Sequence, residues 1–357
     1  MLRQDRISAV QTMTRRIEPA QSGDELLGPL MNLPGVWSNE GRFPGRGWNM
    51  IALPFSGGPP GTAPYRLLVN QYNETLTVSL ADKGVPNRGL GIRPDPVNGD
   101  QTLVALDYEQ AISQIAIDDF PNSGLTRTVP KPIHHEPGLF LNMLNMVTND
   151  LTVARLGTIP HGDSVLALGR TSKIEGPPDI PVFGGLPIGL GPQDEVMTPV
   201  DPANPAYLDP YKHFHHNLFE GLFDPVDPTK LLRDAAAALP ILRTTVLDFD
   251  STLESGGVLN IPFITRTANA SQLRSIFWIH ELDEKDENGE TVLVIQYAQV
   301  VMLDFFRRRD GMPGLIQWPH VSINTMQRTI NKPVPMAEIA RYDQYLTTPA
   351  ASMKGVE

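Results

Sequence analysis

The chain's eight histidines all fall at or after position 134: His134, His135, His161, His213, His215, His216, His280 and His320. Imidazole is the commonest metal ligand and the side chain that changes charge nearest physiological pH. In Ile133-His134-His135-Glu136-Pro137-Gly138-Leu139, an extended backbone turns adjacent residues to opposite faces. His134 and Glu136 then share a face, and a carboxylate beside an imidazole can orient it or move a proton. In Trp318-Pro319-His320-Val321-Ser322-Ile323, a histidine opens an alternating strand behind a rigid proline, a position that suits an axial iron ligand. Both histidines also have a plain structural reading, as solvated or hydrogen-bonded side chains. Tyr211-Lys212-His213-Phe214-His215-His216-Asn217 puts His213 and His215 on one face if extended. That pair could hold a metal ion, although a pH-sensing or ligand-contacting surface cluster suits it better. His161, in Pro160-His161-Gly162-Asp163, reads as a turn residue able to edge a pocket.

Gln296, Tyr297 and Gln299 lie along one long strand, where Gln and Tyr facing a barrel interior would offer a ligand polar contacts, and an outward face explains them equally well. Met143, Met146, Met302 and Met326 could line an apolar pocket or fill core. No Gly-rich phosphate loop, Gly-x-Ser-x-Gly elbow or His-Glu-x-x-His is present. The chain has no cysteine, which removes disulfides, thiolate haem ligation, iron–sulfur clusters, Cys-zinc sites and thiol nucleophiles together. A formal net charge of −11 argues against general nucleic-acid binding, which needs clustered cations. No apolar window approaches bilayer length, and no hydrophobic signal region follows Met1. These features point to a cytoplasmic chain that acts on small molecules; a homo-oligomer is left open.

The elements that would position these residues are mostly strands. Period-two alternation, punctuated by turn residues, marks 65–80, 102–117, 133–141, 151–159 and 164–170. Further strands are expected at 244–253 and 258–265, joined by Ser255-Gly256-Gly257, and at 275–282 and 291–305, joined by Glu287-Asn288-Gly289. The last runs from His320 to Arg328. Residues 1–27 read as a polar tail, with helix around 9–16, and 331–357 as a C-terminal tail. Prolines crowd 174–241, so that stretch is an ordered insertion or lid between two barrel parts, 28–173 and 242–330. It holds one predicted helix, with Asp227 as cap, Pro228 at the first position and an alanine run ending before Pro240. The expected fold class is mainly β: an antiparallel, calycin-like barrel of roughly ten strands, since closure removes exposed edges.

Gly35-Val36-Trp37 resembles the Gly-x-Trp that opens calycin barrels, and the later pieces are similar to the nitrobindin-type, fatty-acid-binding-protein-like haem-binding barrels. Gly41, Gly45 and Gly47 follow the tryptophan, as glycines do in that family. Residues Ile133 to Leu139 resemble its Leu-His-x-Glu-x-Gly-Tyr segment, and His320-Val321-Ser322-Ile323 the start of its last strand. The resemblance implies haem b, with His320 as proximal ligand and His134 beside the haem, and Trp37 plugging the closed end under an arginine of the last strand. Arg328 is the candidate for that arginine, but it stands one residue late relative to His320. In a regular strand that changes its face, so the pairing needs a bulge.

Three functions are compatible with this reading. The first is a haem protein acting on or sensing peroxide, a nitrogen oxide or a small organic substrate, with the insertion as lid. His134, Glu136 and Gln299 would then serve the chemistry, while His320, His134, Met302 and Tyr297 line the cofactor. The second is a carrier or sensor of an apolar small molecule, without iron. The third is a cofactor-free isomerase or dehydratase using the His134–Glu136 pair.

Overall fold

Alternating segments of the chain become strands that close on themselves in the computed structural model, which describes residues 25–58, 62–80, 83–89, 99–126, 131–159 and 162–330. The strands are β1 (Gly35–Ser38), β2 (Gly47–Pro54), β3 (Tyr65–Leu80), β4 (Val85–Asn87), β5 (Gln101–Phe120), β6 (Lys131–Met143) and β7 (Val153–Gly157). They continue as β8 (Ser164–Glu175), β9 (Ile241–Asp250), β10 (Gly257–Leu259), β11 (Asn269–Lys285), β12 (Thr291–Arg307) and β13 (Leu315–Ile330). Ten of them form a ring in the order β3-β2-β13-β12-β11-β9-β8-β7-β6-β5, which β5 closes by pairing back to β3. Every pairing in the ring is antiparallel. Closure leaves the long strands without free edges, as the alternation led us to expect.

β1 takes over from β2 in the same gap of the wall, pairing with β3 on one side and β13 on the other. Its Trp37 is fully buried, donates Nε1–H to the Leu33 carbonyl at 2.8 Å, and shares the core with Leu27, Leu30 and Leu33. Folded structure thus includes the end of the expected N-terminal tail. Opposite Trp37 stands Arg328, because the register slips between Val36 (paired with Ile330) and Trp37. The expected bulge between His320 and Arg328 is absent, since β13 pairs in regular register from Gln317 to Gln327; the slip falls beyond Arg328.

The insertion packs on the outside of the wall. Trp48 stacks on Phe223 (centroids 5.8 Å apart) and meets Phe219 edge-on at 5.9 Å. β2 pairs with β13 only through Trp48, Asn49 and Met50, and beyond them Ile188 of the insertion pairs with Gln317 instead. Gly185 sits where any Cβ would fall 2.3 Å from the Pro225 backbone carbonyl oxygen, so only glycine permits this approach. Helix α1 (Asp209–His216) lays Tyr211 near Tyr65, and α2 (Lys230–Ala237) covers the outer face of β12, where Gln296 donates to the Leu232 carbonyl at 3.0 Å.

Three local expectations are corrected. Residues 258–265 do not form a hairpin with β9: β10 pairs with β8, and Pro262–Thr267 is a short helix, α3. Residues 209–216 are helical rather than extended, which separates His213 from His215 around the helix. Asp227 does not cap α2; its carboxylate accepts from Thr229 and pairs with Arg233. The region around 9–16, the 331–357 tail and His161 lie outside the described residues.

Candidate functional site

Register identifies which side chains face inward. Arg155 of β7 spans the barrel to Ser275 of β11 and Gln299 of β12, so all three project into it. Gln299 is opposite Ser322, Ser322 opposite Asn49, and Asn49 opposite Asn70. By alternation, the inward set includes Asn49, Ile51 and Leu53 on β2, Leu68, Asn70, Tyr72 and Glu74 on β3, and His320, Ser322 and Asn324 on β13. His134 and Glu136 join it from β6, while His135 points out to Glu109 at 2.6 Å. The shared face expected for His134 and Glu136 is present.

The inward residues are not equally enclosed. Asn49, Ile51, Leu53, Leu68, Ile117, His134, His320 and Ser322 remain partly accessible, whereas Glu74, Gln110, Glu136, Arg155, Ser275, Gln299 and Asn324 are buried. The partly accessible inward residues, apolar at Ile51, Leu53, Leu68 and Ile117 and polar at Asn49, His134, His320 and Ser322, make up one half of the interior, the chamber, and two polar networks fill the other.

The first network centres on Arg155, which is 4% exposed. Nη2 lies 2.9 Å from Glu136 Oε1, Nη1 donates to Ser275 Oγ at 3.0 Å and Gln299 Oε1 at 2.5 Å, and Nε donates to Tyr108 Oη at 3.1 Å. Tyr108 donates to Glu136 in turn, and the Arg155 guanidinium sits over the Tyr108 and Phe277 rings. Burial alone would raise the Glu136 pKa; the Arg155 charge and hydrogen bonds from His134 and Tyr108 outweigh it and hold the carboxyl below its ordinary range. His134 Nε2 stands 3.4 Å from Glu136 Oε2, so a fixed anion holds this chamber imidazole. Gly138 is needed here, because a Cβ would fall 2.4 Å from Tyr108 Oη.

His320 shares the floor. Its Nε2 is 2.7 Å from Asn49 Nδ2, an amide that also donates to Ser322 Oγ at 2.8 Å. Nε2 therefore accepts, the proton resides on Nδ1, and Nδ1 is buried without a hydrogen-bond partner. Burial, reinforced by the charge of His134, lowers the His320 pKa to about 4 and keeps the ring neutral.

In the second network, Glu74 is 1% exposed and accepts from Tyr297 Oη (2.6 Å), Asn324 Nδ2 (2.8 Å) and Gln110 Nε2 (2.8 Å). Tyr297 Oη is also 2.8 Å from Tyr72 Oη, which donates to the Ile323 carbonyl at 3.1 Å. Burial raises the Glu74 pKa, and these bonds offset only part of that.

The expected site residues thus divide. His134, Glu136, Gln299, Tyr297 and His320 all face inward, but Glu136, Tyr297 and Gln299 are committed to the buried networks. Met302 does not join them, because it stands an odd number of residues from Gln299 in a regular stretch of β12 and faces the outer side. His213 stacks on Phe120 at 4.2 Å and His215 pairs with Asp224 at 3.0 Å, both outside the chamber. No cluster of three metal-ligating side chains occurs among the described residues. His280 is buried in the outer wall between Thr244 and Gln296, each 3.0 Å away.

Sequence reading missed Asn49, Tyr72, Glu74, Tyr108 and Arg155. The alternating Asn70-x-Tyr72-x-Glu74 offered one signal, since polar residues at every second place of a long strand mark one face. Arg155 offered another, as a cation flanked by Val153, Ala154 and Leu156.

No protein-family model and no curated protein matches the chain. Fold and site define it as a closed, ten-stranded antiparallel barrel with a partly accessible chamber. Among the described residues no helix is long and apolar enough to cross a membrane.

Proposed function

We propose that this barrel binds haem b through His320, as the nitrobindin-type and wider calycin resemblance implies, and that its chamber admits a second small molecule. The observation that carries the reading is His320 itself: an inward, neutral imidazole with its proton on Nδ1 and its lone pair on Nε2, fixed by a strand in the barrel wall. The residues fit the group, since iron binds the lone pair of a neutral imidazole and His320 offers one on Nε2. Asn49 engages the lone pair and has to yield it. When bound, haem supplies iron with a further coordination position for peroxide, a nitrogen oxide or a small organic substrate.

The chain's own contribution would be proton handling and exclusion of water. His134 faces the chamber with Glu136 behind it, and Arg155 keeps Glu136 charged, an arrangement that suits an acid–base residue. Gln299 acts through Arg155 rather than on a ligand. Hemin titration of the purified protein tests this reading: a stoichiometric Soret band is expected, and His320→Ala is expected to abolish it. Unchanged stoichiometry and spectrum in that variant would refute the ligand assignment.

The apolar wall of Ile51, Leu53, Leu68 and Ile117 favours a second reading, a carrier of an apolar small molecule without iron. Native mass spectrometry separates the two, by co-purified lipid or co-purified haem.

A further inference from the structure

Helix α1 ends in the run His213-Phe214-His215-His216, and its last turn parts the three imidazoles. His213 stacks on Phe120, with 4.2 Å between ring centroids. His215 and His216 stay together instead, their centroids 5.1 Å apart and their ring planes at 73°. His216 is exposed and His215 half-buried. The negative end of the helix dipole falls at the same turn and favours a cation there.

The elements that hold this pair are fixed. Asn217 closes the helix by donating its backbone N–H to the His213 carbonyl at 2.9 Å. Phe214, Phe219 and Phe223 are buried, Phe223 against Trp48, and the turn from Phe219 to Phe223 returns the chain so that Asp224 meets His215. His215 Nδ1 lies 3.0 and 3.1 Å from the two carboxylate oxygens, and the nearer oxygen also accepts the Val226 backbone N–H at 2.9 Å. A carboxylate accepts, so Nδ1 carries the proton and a neutral His215 has its lone pair on Nε2. A carboxylate on the far nitrogen is the usual device that fixes tautomer and ring direction in metal-binding histidines. His216 has no hydrogen-bond or ion-pair partner among the described residues, so its ring can turn a nitrogen toward the same point.

The spacing decides which ion fits. Imidazole nitrogen binds zinc at about 2.0–2.1 Å, which puts the ring centre roughly 3.2 Å from the metal. Two rings at the tetrahedral angle then have centroids about 5.2 Å apart. The 5.1 Å between His215 and His216 matches that separation.

We propose that His215 and His216 bind a zinc ion, with Asp224 as the positioning residue that aims His215 Nε2. No cluster of three ligating side chains occurs among the described residues, so the protein supplies two ligands and leaves two positions to water or a small anion. A bare His215–Asp224 tie that holds the turn to the helix needs no metal. His216 separates the two roles, because it takes no part in that tie. The site lies on the insertion, outside the chamber, and is independent of the haem reading.

Calorimetric titration of the full, untagged, haem-free chain with zinc chloride tests the site. One ion is expected at this pair, weakened about tenfold or more in His216→Ala and about tenfold to a hundredfold in Asp224→Ala. His216 is exposed, so its variant keeps the test open should Asp224→Ala fail to fold. Nitrogen-15 spectra of the histidine rings add a readout that a structural tie would not move. Zinc is expected to shift the ring nitrogens of His215 and His216, and in metal-free Asp224→Ala the His215 proton is expected to redistribute toward Nε2. His320→Ala is expected to bind zinc at this pair as wild type does, so failure of the haem assignment registers separately. Absence of zinc binding, equal affinity in His216→Ala and wild type, or shifts confined to other histidines would each overturn the proposal. An unmoved His215 proton in Asp224→Ala would overturn the role given to Asp224.

Discussion

Arg155 and Glu136 form an ion pair 2.9 Å long, closed off from solvent by the barrel wall on one side and by Phe277 on the other. A buried pair of this kind adds little over an apolar filling, but removing one partner leaves a charge without compensation. Arg155→Met is therefore expected to cost about 3–5 kcal/mol, read from urea denaturation. Arg155→Met with Glu136→Gln is expected to cost less than the single change, since it removes the orphaned anion. A double variant less stable than Arg155→Met would contradict the assignment of Arg155 as the counter-charge.

Acid is expected to destabilise the protein well above the ordinary carboxylate range. His280 is fully buried, and burial lowers its pKa from 6.5 to about 4. Below pH 6.5 the unfolded chain takes up a proton that the folded protein refuses. Its contribution to stability therefore falls as pH drops from 6.5 and levels off near the folded value, for a total of about 3 kcal/mol. Denaturation midpoints across that window, compared with His280→Gln, measure the effect. Parallel curves for the two proteins would exclude His280 as the source.

How much of this was legible in the sequence depends on the range of the interaction. The long strands were readable because alternation persists over β3 and β5, and the turn at Asn288-Gly289 because Gly289 has φ 80°. The shared face of His134 and Glu136 follows from spacing alone. β2 was not readable as a half-buried strand, because the insertion covers the outward Trp48, Met50 and Ala52 and so removes their alternation with Ile51 and Leu53. Glu74 gave no hint of its partners, which lie 36, 223 and 250 residues away. The slip between Val36 and Trp37 was not readable either, because a bulge inserts a residue without a sequence mark.

The insertion is expected to behave as part of the wall and not as a loose cover. Phe223 is buried against Trp48, so Phe223→Ala should cost about 3–5 kcal/mol and lower the global unfolding midpoint. A single cooperative transition, with tryptophan fluorescence reporting at the same midpoint as circular dichroism, is the expected form. An early separate transition of the fluorescence would mean that residues 176–240 open independently.

Asn49 offers the sharpest check on the ligand role of His320. Its amide and an iron ion compete for one lone pair, since Nδ2 lies 2.7 Å from Nε2 and the His320 proton sits on the other nitrogen. Removing the amide costs the apo protein about one hydrogen bond to that ring, roughly 1 kcal/mol. The haem-bound state loses nothing, because the bond is already broken there. Asn49→Ala is therefore expected to tighten hemin binding by about fivefold to tenfold, measured by competition with apomyoglobin. Circular dichroism checks that the barrel tolerates loss of the Ser322 contact. Equal hemin affinity in Asn49→Ala and wild type would show that the Nε2 lone pair is not where iron binds.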